Sequence, residues 1–296
     1  MKIFDCFMYF DEDQVLDLRL NILYQKVDYF VIVESTYNHK GEEKKLLFDI
    51  NKFSKFKDKI IYLVYNQIPT NVKEFEGNET SEQKKNKYMF NAIYRENSQR
   101  NYISNGLNHS DENDIILISD IDEIPKLDAV NFKGIGNEIL IFMQDMFHYK
   151  FNLVIPNFKW HGTKATKKKN LISPQWLRNI KNKKYPFYRI DTLFSKTKYT
   201  NIKIIKDGGW HFSNIKSPEK ILYKYKSYLH HWEFEEAKIN EKEIQNLINT
   251  KNAIYNLKTD KKNKKMGNGG SLNRYEIKKL PVYIQNNINK FKNWID

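Results

Sequence analysis

The sequence predicts an α/β protein built on a mostly parallel, open sheet flanked by helices. Three observations predict it. "YFVIVES" (29–35), "IIYLVY" (60–65) and "DIILIS" (114–119) are continuous apolar runs, as expected of parallel strands covered on both faces. Segments of helical period separate them, which sets a strand–helix–strand rhythm. At 296 residues, 40% hydrophobic and 15% aromatic, the chain holds ample material for a sizeable core.

In order, "KIFDCFMYF" (2–10) is rich in strand formers. "DEDQVLDLRLNILYQKV" then opens with acids and carries Leu16, Leu20, Leu23 and Val27 on one helical face. After the second strand, a short basic helix-like segment leads to the third. A long helix is expected from about Ser81 through Gly106, carrying Met89, Ala92, Ile93, Ile103 and Leu107, with Asn-Gly as its stop. The fourth strand, "DIILIS", follows. In an open parallel sheet, ligands collect at the carboxyl ends of the strands.

Beyond Pro125 the rhythm changes. "EILIFMQDMFHYKFNLVI" (138–155) predicts one or two longer strands, and "SPQWLRNI" (173–180) a helix with Ser at its N-cap and Pro at N1. A second capped helix is expected over "SPEKILYKYKSYLHHW" (217–232), with Ile221, Tyr225, Tyr228, Leu229 and Trp232 facing the core and His230 and His231 as ordinary helix residues. "KTDKKNKKMGNGGSLNR" (258–274) reads as a flexible loop; a weak contact of its lysines with an anionic membrane surface is the one functional use its composition suggests.

The net charge of +14 and pI near 9.4 raise the question of a nucleic-acid partner. Only six of the 50 basic residues are arginine, the side chain suited to bidentate recognition of phosphate and guanine, so no nucleic-acid role is expected. The single cysteine, Cys6, excludes an intramolecular disulfide and reads as a buried thiol. No apolar window approaches the ~20 residues of a membrane span, and Met1 leads directly into a strand-like run, so a cytoplasmic protein is expected.

"DIILISDIDEIP" ends a buried strand in a cluster of acids. Alternation along an extended chain places Asp120 and Asp122 on one side and Ile121 on the other. Two such carboxylates repel one another unless a cation compensates them, so a divalent metal, Mn²⁺ or Mg²⁺, is expected there. A basic glycan- or nucleic-acid-binding protein with structural acids, and a nucleotidyltransferase on a similar sheet, are the alternatives.

Five blocks, "FDCFMYFDEDQVLDLRL", "DYFVIVESTYNHKGEEKKLLF", "RENSQRNYISNGL", "DIILISDIDEIP" and "GGWHFS", in this order resemble glycosyltransferase family 17 over about residues 3–232. The resemblance implies a GT-A fold, a UDP-sugar donor with GlcNAc as the sugar, a glycan acceptor, a divalent cation and inversion at the anomeric carbon. Residues 1–235 are then the catalytic domain and 236–296 a helical extension with a basic, glycine-containing loop.

Carried over by position, Asp120 and Asp122 bind metal and donor diphosphate, with His211 as a third ligand. Glu34, ending the second strand, meets the nucleoside or ties its own loop. Arg100, preferred to Arg95, clamps the diphosphate, although the Glu96/Arg100 spacing equally suits an ordinary helical pair. An inverting transfer needs a base; Asp207 is the first candidate because it adjoins the glycine-rich block, and Asp145 and Glu123 follow.

Overall fold

A computed structural model describes residues 1–183, 185, 195, 198–199, 201–228, 239–257 and 269–296. Leu229, His230, His231, Trp232 and the lysine run 258–268 lie outside the described residues. The first half is the expected parallel sheet: β1 (Ile3–Tyr9) lies between β2 (Tyr29–Ser35) and β4 (Ile115–Ile118), with β3 (Ile60–Tyr65) on the far side of β2. Alternate side chains of these strands enter two apolar layers. Phe7, Phe30, Ile32, Ile115 and Leu117 meet Leu16, Leu20 and Leu23 of α1 (Asp13–Leu23). Phe4, Cys6, Val31, Val33, Ile116 and Ile118 meet Ile103 and Leu107 on the other face. Burial on both sides is why these strands read as unbroken apolar runs.

α2 (Ser81–Asn101) starts in a capping box made by Thr80 and Gln83, and continues as 3-10 turns over Tyr102–Leu107. Gly106 is not a helix stop. A Cβ there would stand 2.4 Å from Val31 Cγ1, so glycine lets these turns press onto β2. The basic segment before β3 is likewise a run of 3-10 turns, Ile50–Lys59.

The second half extends the same sheet. After the short β5 (Glu123–Pro125), β6 (Ile139–His148) and β7 (Leu153–Lys167) form a long antiparallel hairpin, and the end of β7 pairs antiparallel with β4. The sequence reading stopped this hairpin at residue 155. The outer half of β7, "NFKWHG", is partly exposed and polar, which hides its strand character until Thr163–Thr166 re-enter the interior. α3 (Pro174–Asn179) is capped as expected, Ser173 Oγ accepting from Trp176 N at 3.1 Å. β8 (Ile202–Ile205) and β9 (Gly209–Ser213) both run parallel to β6, and β9 also pairs antiparallel with β5.

α4 (Pro218–Ser227) begins at the Ser217 cap. It packs on α5 (Glu241–Asn249) in a cluster with Ile221, Ile244, Ile254, Met146 and Leu153. β10 (Asn273–Arg274) adds to β7, and α6 (Val282–Asn286) brings Ile284, with Leu280 and Phe291, into the layer that also holds Leu16 and Phe151. Among the described residues no helix is long and apolar enough to cross a membrane.

Candidate active site

Two adjoining cavities open at the carboxyl ends of β1, β2 and β4. The larger, of about 270 Å³, is lined by Glu12, Glu96, Arg100, Asp120, Asp122, His211, Lys224 and Tyr225 among others. The smaller, about 30 Å³, lies against Phe10, Ser35, Tyr37, Asn38 and Lys44. Met8, His39 and Tyr228 line both. The fold thus brings the β1–α1 loop, the β2 loop, the end of α2, the segment after β4, β9 and α4 to one place.

Asp120 and Asp122 stand beyond β4, on a turn and not on a strand, with Glu123 N donating to Asp120 O at 3.0 Å. Turn geometry, not strand alternation, aims both at the cavity, and Ile121 lines it too. Arg19 sets the turn from below. Its Nη1 donates to the carbonyl oxygens of Asp120, Ile121 and Glu123 at 3.1, 3.0 and 2.9 Å, and its Nη2 to Ser119 Oγ at 2.6 Å. Fully buried Glu123 is the second support. Its carboxylate accepts from both Nη atoms of Arg178, from Trp160 Nε1 at 2.5 Å and from Asp120 N at 3.1 Å, so it holds the turn and does not face a substrate.

The cavity acids are already compensated by side chains. Arg100 Nη2 donates to Asp120 Oδ1 at 3.0 Å and Arg178 Nη2 to Oδ2 at 2.7 Å. Burial pushes the Asp120 carboxyl up, but Arg178 and then Arg100 outweigh it and hold it well below the usual carboxylate range. Asp122 faces His211 Nε2 at 3.3 Å and Lys224 Nζ at 3.8 Å. Burial again opposes its charge, and His211 and Lys224 together lower its pKa. In return, Asp122 raises His211 against the burial that disfavours the imidazolium. Glu96 is likewise held down, its burial outweighed by Arg100 at 2.8 Å. Glu12 goes the other way: burial pushes it up, and Lys224, at 3.9 Å, offsets only part of this.

This arrangement does not form a ready metal centre. Both oxygens of Asp120 are taken by guanidinium groups, and among the described residues no cluster of three or more His, Cys, Asp or Glu side chains is disposed to hold a metal ion. A divalent cation at these acids has to displace Arg178, Arg100 or Lys224. Here arginine, histidine and lysine supply counter-charge to the two adjacent carboxylates.

Four of the expected site residues, Arg100, Asp120, Asp122 and His211, meet in the larger cavity; Glu34, Asp145 and Asp207 do not line it. Glu34 is fully buried and ties the β2 loop, accepting from Lys44 Nζ, Leu47 N, Phe48 N and Tyr62 OH at 2.6–3.0 Å. Asp145 pairs with Lys159 at 2.5 Å. Asp207 is 76% exposed and pairs with Lys126. Arg95 donates to the carbonyls of His39 and Lys40, away from the cavity acids.

Sequence reasoning missed Glu12, His39, Arg178, Lys224 and Tyr228. Glu12 and His39 stand inside quoted blocks and directly after strands, where ligands collect, so position alone could have raised them. Arg178 and Lys224 lie on helices whose spacing reads as packing, Tyr228 stands just past the end of α4, and Tyr225 and Tyr228, expected in the core, line the cavities. Burial leaves Arg100 Nε, His39 Nδ1 and His211 Nδ1 without hydrogen-bond partners, which marks a site built to receive polar atoms.

No curated protein matches the chain. The sequence matches the model of glycosyltransferase family 17 over residues 1–295, reaching well past residue 232, where the resemblance of individual blocks fades. With a cavity of paired acids and cations at the carboxyl end of a mostly parallel sheet, and a family match along essentially its whole length, the chain belongs to glycosyltransferase family 17 and is a glycosyltransferase.

Proposed function

We propose that the two cavities hold a UDP-sugar, with GlcNAc as the sugar, and that the protein transfers this sugar with inversion to a hydroxyl of a glycan. The observation that carries the reading is the convergence of Arg100, His211 and Lys224 with Asp120 and Asp122 on one cavity beside a smaller aromatic one. Cationic donors from α2, β9 and α4, gathered around the rigid Asp120–Glu123 turn, suit a diphosphate leaving group, and Phe10 and Tyr37 offer aromatic faces to a base, which enters by opening the 30 Å³ space between them. Mn²⁺ or Mg²⁺, which the family resemblance implies, enters only by displacing one of these side chains, and no step below depends on it.

The base is assigned to Glu12. It lines the larger cavity, with Oε2 accepting from Phe10 N and Asp11 N and Oε1 from Lys216 Nζ, each at 3.1 Å, and of the four carboxylates there it is the one whose pKa is raised, while Asp120, Asp122 and Glu96 are held down. Environments that push neighbouring carboxyls apart separate a base from electrostatic partners. Glu12 takes the proton of the acceptor hydroxyl as its oxygen attacks the anomeric carbon from the side opposite the departing UDP. Arg100 and Lys224 meet the charge that develops on the diphosphate.

The test is a donor screen across UDP-, GDP- and CMP-sugars, with and without Mn²⁺, reading nucleotide release and calorimetric UDP affinity. Release of UDP alone by the wild type, with affinity lost in Arg100→Ala, is expected. Equal affinity in both proteins, or none in either, overturns the reading.

A further inference from the structure

His39 occupies the seam of the two cavities and is held there from three sides. Asn38 Oδ1 accepts from Gly41 N and Glu42 N at 2.9 Å each, which closes the loop around it. Arg95 Nη1 donates to the His39 carbonyl at 3.2 Å, and the imidazole stands edge-on to Tyr228 with ring centroids 5.3 Å apart.

The tautomer follows from one neighbour. Gln99 Nε2 donates to the Val33 carbonyl at 3.2 Å, which leaves its Oε1 turned to His39 Nε2 at 3.4 Å. An amide oxygen only accepts, so Nε2 carries the ring hydrogen. In the neutral ring Nδ1 is then a bare acceptor, and it is buried without a partner. Burial also lowers the pKa of the ring and so favours the neutral form.

An unpaired acceptor accepts from a hydroxyl or an N–H and repels a phosphate oxygen. Its place narrows the choice further. One side of His39 is the aromatic cavity of Phe10 and Tyr37, and the other is the charged cavity of Arg100, Asp120 and Lys224. In a nucleoside diphosphate the group between base and phosphates is the ribose, which carries hydroxyl donors. We propose that His39 Nδ1 accepts a hydrogen bond from a ribose hydroxyl of the nucleotide that spans the two cavities, making His39 a neutral selector at their seam. The inference rests on the UDP-sugar reading and adds a specificity residue to it.

Calorimetric titration of UDP, 2′-deoxy-UDP and 3′-deoxy-UDP into wild type, His39→Phe and His39→Asn tests it. On the wild type, one deoxy analogue is expected to bind about tenfold more weakly than UDP, the size of one lost hydrogen bond to a buried acceptor. On His39→Phe, UDP weakens by about the same factor and that analogue loses nothing more. His39→Asn, whose amide oxygen can stand where Nδ1 stood, recovers part of the discrimination. Both analogues binding the wild type as tightly as UDP overturns the proposal, whether or not either variant folds. So does a deoxy penalty that persists undiminished in His39→Phe. Failure of UDP itself to bind the wild type overturns the UDP-sugar reading on which this one rests.

Discussion

Arg19 and Asp5 form a fully buried ion pair, Nε to Oδ2 at 2.7 Å and Nη2 to Oδ1 at 2.5 Å, with neither side chain exposed to solvent. The pair joins α1 to β1, and the remaining nitrogen of the same guanidinium holds three carbonyls of the Asp120–Glu123 turn. One side chain therefore couples the centre of the sheet to the acids of the site.

Arg19→Met is expected to lower stability by about 3–5 kcal/mol in urea unfolding, because it leaves Asp5 charged and alone in the interior. Arg19→Met combined with Asp5→Leu should recover much of that loss while UDP affinity stays low, since the three carbonyls of the turn have lost the guanidinium that donates to them. Full recovery of both would mean that the turn needs no support from Arg19.

Arg178 bridges Glu123 and Asp120, so Arg178→Met should move the Asp120 carboxylate without touching the base. A displacement of about 1 Å in such a constellation costs roughly 100-fold in turnover. Steady-state kinetics with the donor found by the screen would show it. An unchanged kcat would make Arg178 a structural residue alone.

Glu12→Gln is expected to lower turnover by about 10²–10⁴-fold with UDP affinity kept within a few-fold. A base must be deprotonated to act, so wild-type turnover should rise with pH through a pKa above the usual glutamate value, and this limb should vanish in the variant. Asp207→Asn is the companion control. Its exposed pair with Lys126 is worth at most about 1 kcal/mol, and turnover within about twofold of wild type is expected. A collapse of activity in Asp207→Asn would return the base to that residue.

His148 is buried beside His211, and burial, then the neighbouring charge, pushes it down to about 3. The unfolded chain binds a proton near pH 6.5 that the folded chain refuses, so stability falls as pH drops below that value. The slope is about 1.4 kcal/mol per pH unit for one such histidine. His211, whose folded pKa is raised, works in the other direction: its contribution is fully present below pH ~6.5 and is lost as pH rises through the folded value. Urea unfolding at pH 6.5 and 4.5 should show the fall, reduced by about 2 kcal/mol in His148→Gln. An identical fall in the variant would rule out His148 as its source.

The strands β1 to β4, helix α1 and the caps at Ser173 and Ser217 were legible from sequence because their signals are local: apolar period, capping hydroxyls and proline at N1. Asp120, Asp122, Arg100 and His211, which line the larger cavity, could be singled out from sequence because each stands in a block whose order along the chain resembles one family. The far half of β7 was not, since its pairing with β4 and β6 and not its own alternation makes it a strand.

The sequence by itself determined the sheet that faces two apolar layers, the helices that cover it and the acids placed after its fourth strand. Only the tertiary structure decided what those acids meet. Arg178 lies 58 residues from Asp120 in sequence and His211 lies 89 from Asp122, so no local period records either pairing. Whether two carboxylates call for a metal or are compensated by guanidinium, imidazolium and ammonium groups depends on charges within a few ångströms in space, and chain folding alone brings those together.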